Sequence, residues 1–129
     1  MKIKMTAIPV DDQQKALDFY TKVLGFEKKQ DIPMGEFRWL SVIAPEGNDT
    51  ELSLEPNVNP ASKAFQESLL EQGIPMTGFE VDDMDAEFER LKAQNVVFTT
   101  DPKDAGPVRM AVFLDTCGNL IQIYQHKTD

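Results

Sequence analysis

Slid against itself by 71 residues, the chain matches at nearly every point where one element of structure gives way to the next. Val10-Asp11-Asp12 falls on Val81-Asp82-Asp83, Gly35 on Gly106, Arg38 on Arg109, Trp39 on Met110, and Gly47-Asn48 on Gly118-Asn119. The apolar helix positions Leu17, Tyr20 and Leu24 fall on Phe88, Leu91 and Asn95. One shift that aligns caps and turns together marks an internal duplication, and a duplication must be recognised before any fold is assigned.

Each copy reads as β-α-β-β-β. In the first, residues 2–10 are rich in β-formers and lead to Asp11-Asp12, a carboxylate cap for a helix whose apolar stripe is Leu17, Tyr20 and Leu24 and whose stop is Gly25. Strands follow at 26–32, 36–44 and 51–55, separated by the turn-rich Pro33-Met34-Gly35 and by residues 45–49. The second copy has strands at 76–81, 96–100, 108–114 and 120–125, with a helix capped by Asp83 that points Met84, Phe88 and Leu91 inward. Between the copies, Asn59-Pro60 opens a bridging helix with a stripe of Ala61, Ala64, Phe65 and Leu69, stopped by Gly73. The expected organisation is one α+β domain over 1–129: a first module at about 1–56, a linker helix at about 59–73 and a second module at about 75–126.

Strand alternation sorts the side chains by face. Leu52 and Leu54 must meet the helices, leaving Glu51, Ser53 and Glu55 on the other side; Ile121 and Ile123 likewise leave Gln122 and Tyr124. Met5 and Ala7 oppose Thr6, Ile8 and Val10, and Met76, Gly78 and Glu80 oppose Phe79 and Val81. One sheet face is therefore polar and soft. Adjacent strand residues point opposite ways, so either Trp39 and Met110 line that face or Arg38 and Arg109 do. The first pair would suit a planar or cationic ligand, the second a carboxylate.

Composition removes several functions. A net charge of −9 opposes a nucleic-acid partner, which needs surplus Lys and Arg to displace counterions. Cys117 is alone, so there is neither a disulfide framework nor a thiolate zinc cluster, and a cytoplasmic location is expected. No apolar stretch suggests a signal peptide or a membrane span. Without a neighbouring histidine to lower its pKa, Cys117 reads as a turn residue, and the one histidine, His126, as a solvated side chain beyond the last strand.

The Val-Asp-Asp cap, the Ala-Leu-Asp-Phe-Tyr helix ending Leu24-Gly25-Phe26, and the closing Asp115-Thr116-Cys117-Gly118-Asn119-Leu120-Ile121-Gln122-Ile123 together resemble the vicinal oxygen chelate superfamily. That superfamily includes glyoxalase I, extradiol dioxygenases and bleomycin-resistance proteins. The resemblance implies paired modules forming a U-shaped cup, and commonly a homodimer. It also implies metal ligands on the first and last strands of each module, which fall here at Met5, Glu51, Met76 and Gln122. Two thioethers and an amide stand where imidazole and carboxylate are needed, and soft thioethers suit Cu(I) rather than a hard dication. No divalent metal and no other cofactor is expected. Glu51 remains as a candidate general base, or as a carboxylate hydrogen-bonded to Gln122 or water; without a group to stabilise an enolate, a base alone accelerates little.

The expected function is metal-independent binding of a small organic molecule by Met5, Glu51, Ser53, Met76, Gln122, Tyr124, Trp39 and Met110. The alternative is a glyoxalase-like lyase using Glu51 with an atypical metal.

Overall fold

The structure, a computed structural model, describes residues 1–46 and 49–128. The element order is β1 (Met5–Val10), α1 (Gln13–Asp18), β2 (Glu27–Met34), β3 (Phe37–Ile43), β4 (Glu51–Pro56), α2 (Pro60–Gln72), β5 (Thr77–Glu80), α3 (Met84–Ala93), β6 (Phe98–Ala105), β7 (Val108–Leu114) and β8 (Leu120–His126). The class is α+β. The chain divides into two compact units, one ending at Gln66 and the other beginning at Glu67, so the division falls inside α2.

In the first unit the sheet order is β1-β4-β3-β2, with β1 parallel to β4 and the other pairs antiparallel. Asp12 caps α1 by accepting the Lys15 N–H at 3.0 Å. The helix ends in a π-helical turn, Phe19–Val23, where the Leu24 N–H reaches back to the Phe19 carbonyl at 3.1 Å. The Thr21 hydroxyl bonds the Leu17 carbonyl at 2.6 Å within the same stretch. Ala16, Leu17, Phe19 and Tyr20 bury against Ile8, Val10, Leu40, Val42 and Leu54. Each large side chain so buried contributes on the order of 1.5–3 kcal/mol.

The second unit repeats the plan, with sheet order β5-β8-β7-β6. Asp83 caps α3 by accepting the Ala86 N–H at 3.1 Å, and Met84 and Leu91 pack over Ala111, Phe113, Ile121 and Ile123. Asn95 takes the left-handed conformation after the helix, at φ 67°.

Three expectations are corrected here. The expected turns at Pro33-Met34-Gly35 are tighter, since β2 runs through Met34 and only Gly35 and Glu36 form the hairpin, with Gly35 at φ 67°. Its counterpart, Gly106-Pro107, has Gly106 at φ 62°; a positive φ at the first loop position is what a twist-compatible two-residue hairpin demands. The stripe of α2 is not inward: Ala61 and Ala64 are exposed, Phe65 is 57% exposed, and the buried residue of the helix is Gln66. Gln66 donates to the Pro9 carbonyl at 3.0 Å and accepts from Asn57 Nδ2 at 2.7 Å, so a polar anchor replaces the predicted apolar one. His126 is no tail residue; it ends β8, opposite Val108.

The duplication also needs two registers. Ser41 faces Ser53, whereas its counterpart Val112 faces Gln122. The last strands therefore superpose with a shift of 69, Ser53 onto Gln122, and the counterpart of Glu51 is Leu120. First strands keep the shift of 71: Met5 pairs with Glu51, and the Met76 N–H donates to the Leu120 carbonyl at 2.8 Å. The cause is chain length, because residues 44–50 join β3 to β4 whereas residues 115–119, two fewer, join β7 to β8. The predicted match of Gly47-Asn48 to Gly118-Asn119 lies outside the described residues.

Candidate functional site

Each sheet has one face under its helix and one without. In the first sheet, Leu40, Val42, Leu52 and Leu54 are buried on the helix face. Alternation places Phe37, Trp39, Ser41 and Ile43 of β3 on the helix-free face, with Glu51, Ser53 and Glu55 of β4 and Met5 and Ala7 of β1. The ladder to β2 adds Glu27, Gln30, Ile32 and Met34, opposite Ile43, Ser41, Trp39 and Phe37.

This settles which pair lies where. Arg38 is on the helix face: it grips Asp31 with Nε on Oδ1 at 2.9 Å and Nη2 on Oδ2 at 2.8 Å, and its Nη1 donates to Gln14 of α1 at 2.9 Å. The guanidinium holds the Asp31 carboxyl down at about 2, against a usual 3.8, and Asp31 in turn raises the Arg38 pKa. Arg109 likewise reaches Asp85 of α3 at 3.1 Å. Trp39 and Met110 are thus the helix-free pair, and Trp39 is 40% exposed.

The centre of the first face is polar. The Ser41 hydroxyl donates to Glu51 Oε1 at 2.7 Å and accepts the Gln30 N–H at 3.2 Å. Ser41 and Ser53 face one another and are both buried, while Glu51 is half-buried beside Met5 on the neighbouring strand. The partner of Glu51 is therefore Ser41 in its own sheet. Around this centre Met5, Ile32, Met34, Phe37 and Trp39 are exposed, at 37–61%. The face's charges are Glu27, Glu51 and Glu55, and none of its register-paired residues is Lys or Arg.

In the second sheet, Gln122 sits opposite Val112 on one side and Gly78 on the other, and Tyr124 lies between Met110 and Glu80. The Tyr124 ring rests over Gly78, where an added Cβ would touch it at 3.7 Å. His126 follows on the same face, its ring edge-on to Tyr124 with centroids 5.6 Å apart and its Nε2 3.5 Å from Glu80 Oε1. Met76 is half-buried and opposite Leu120, two residues before Gln122 on the last strand. The repeat does not point to Ser41, whose counterpart is a valine, and the Glu80–His126 contact depends on His126 lying within β8 rather than beyond it. The four positions implied for metal ligands do not form equivalent pairs, since Met5 is paired directly with Glu51 whereas Gln122 is paired with Gly78. Among the described residues no three or more His, Cys, Asp and Glu side chains group so as to hold a metal ion. Neither Met5 with the serine-bonded Glu51 in the first sheet nor Met76 with Gln122 in the second offers the donors a hard dication needs.

Cys117 is fully buried in the turn before β8. There Asp115 Oδ1 accepts the backbone N–H groups of Cys117 at 2.8 Å and Asn119 at 3.0 Å, and Oδ2 accepts Asn119 Nδ2 at 2.8 Å.

A family model described as Glyoxalase/Bleomycin resistance protein/Dioxygenase superfamily matches residues 2–123. The chain belongs to this superfamily. It is 54% identical to the uncharacterized protein YurT of Bacillus subtilis, over 97% of this chain and 99% of that protein. It is 31% identical to lactoylglutathione lyase of Neisseria meningitidis, over 99% of this chain and 93% of the lyase. Its structure resembles that of TnmS3, an antibiotic binding protein from Streptomyces sp. CB03234, with a TM-score of 0.79 and 33% identity, covering 98% of this chain and 97% of TnmS3. Among the described residues no helix is long and apolar enough to cross a membrane.

Proposed function

We propose that this protein binds a small, planar organic cation without a metal, using the helix-free face of its first sheet. The observation that carries this reading is the make-up of that face: exposed Trp39, Phe37, Met34, Ile32 and Met5 around a Ser41-bonded Glu51, with carboxylates as the charges among its register-paired residues. An aromatic face attracts a cation through its quadrupole, and a nearby carboxylate adds Coulomb attraction. On the helix-free face of the second sheet, Met110, Met76, Gln122 and Tyr124 are proposed as weaker ligand contacts. The likeness to an antibiotic binding protein supports the same class of function. The protein is proposed to work in the cytoplasm as a homodimer, which sedimentation would test.

Equilibrium dialysis with three probes tests the reading: the acridine cation proflavine, the planar anion anthraquinone-2-sulfonate, and the non-planar cation choline. Retention of proflavine above both others, unchanged by EDTA, is the expected result. Loss of binding in EDTA, or equal retention of all three, would sink it. The second reading is a lyase using Glu51, favoured by the similarity to lactoylglutathione lyase. Stoichiometric metal in the purified protein, lost in Glu51→Ala, would establish that reading instead.

A further inference from the structure

The two central ladders differ. In the second unit β7 and β8 pair without a break from Val108↔His126 to Leu114↔Leu120. In the first, β3 and β4 pair only at Ser41↔Ser53 and Val42↔Leu52. Continuing that register would bring Arg38 opposite Pro56, which has no N–H to donate. A side chain takes over. Gln13, the first residue of α1, accepts the Arg38 N–H at 3.0 Å and donates Nε2 to the Arg38 carbonyl at 2.7 Å and the Leu54 carbonyl at 2.9 Å. Its counterpart under the 71-residue shift, Met84, can do none of this, and there the uninterrupted ladder needs no such help.

Past Ser41, therefore, the β2–β3 hairpin is tied to β4 through one amide side chain rather than through main-chain pairing. Within itself the hairpin is stiff, with paired rungs from Gln30↔Ser41 to Met34↔Phe37 and the two-point Arg38–Asp31 clamp. Its helix-free side carries Trp39, Phe37, Ile32 and Met34. We infer that Gln13 is a positioning residue for ligand binding: it latches a stiff hairpin arm whose pivot is the Ser41–Ser53 rung and so sets where Trp39 meets the ligand. This rests on the function proposed above, and it adds which residue controls the binding face and which segment moves.

The test compares the wild-type chain with Gln13→Leu, Trp39→Leu and the double variant. Hydrogen exchange of the free proteins comes first: Gln13→Leu is expected to speed exchange at Arg38, whose N–H it accepts, about tenfold, roughly the effect of losing one to two net hydrogen bonds, with the hairpin's own β2–β3 rungs and β6–β8 unchanged. Exchange unchanged at Arg38, or faster throughout the hairpin's internal rungs, would overturn the latch on a stiff arm, whether or not any ligand binds. Proflavine affinity is then read by dialysis in all four proteins. Gln13→Leu is expected to weaken binding about tenfold, and to weaken it little further once Trp39 is gone, because the two act as one unit. Additive losses would overturn a positioning role and leave Gln13 a structural residue, a distinction that a general loss of stability could not produce. If wild-type protein binds no proflavine, the functional reading fails and with it this role, while the exchange result still decides whether Gln13 holds the arm.

Discussion

The two sheets began as one plan and now differ at the same place, the end that carries the β2–β3 and β6–β7 hairpins. In the first, Ile32, Met34, Phe37 and Trp39 make an aromatic tip; their counterparts across the second hairpin are Lys103, Ala105, Val108 and Met110. The first has a short β3–β4 ladder completed by Gln13, the second a full β7–β8 ladder. The tip with the more costly exposed apolar surface is thus the one less firmly held by its neighbour. Exposed apolar groups gathered on one face of a monomer mark a binding surface, and a surface that must fit a ligand is drawn from the less stable parts of a fold. The difference teaches that duplication supplied the scaffold twice, and that only one copy's hairpin tip bears the exposed aromatic cluster.

Several substitutions would break or sharpen that contrast. The largest effect is expected in the well-held copy: Asp115→Ala leaves the Cys117 and Asn119 N–H groups and the Asn119 amide without their buried acceptor, costing about 3 kcal/mol in chemical denaturation. Next, Trp39→Ala should weaken proflavine binding at least about tenfold, as for a buried aromatic anchor, while Met110→Ala changes it less than about twofold; equal losses would erase the asymmetry. Glu51→Gln should weaken the cation by roughly fivefold, about 1 kcal/mol, and make the remaining affinity less sensitive to salt. The smallest effect concerns pH. Because the folded Asp31 pKa of about 2 lies below its usual 3.8, the contribution of its pair with Arg38 is fully present above about pH 4 and fades as pH falls toward 2. Acid unfolding of Asp31→Asn against wild type should show a difference at pH 5 that narrows toward pH 2 and closes only below it.

The architecture was legible because it rests on signals local in sequence. Asp12 and Asp83 cap their helices as read, and Leu52, Leu54, Ile121 and Ile123 fall on the helix faces. Which of Trp39 and Arg38 faced the helix was not decidable from alternation alone, since both are large and amphipathic; the Asp31 and Gln14 partners that fix it come from another strand and a helix. The equivalence of Glu51 and Gln122 failed because a two-residue difference in a loop leaves every motif in place yet moves one strand by a full rung pair. Gln13 was invisible for a related reason: its importance comes from a ladder that stops, and ladder length is not written in residue types.

The turn at Asp115 has a use of its own. Its Cys117 thiol is fully enclosed, and no other cysteine exists in the chain. A thiol-reactive dye in excess should therefore label the protein only at the rate at which this turn opens, one site per molecule, with no need to introduce a tag. Because the turn joins β7 to β8, that labelling clock times every opening that exposes the second sheet, and each first-sheet variant can be timed against it.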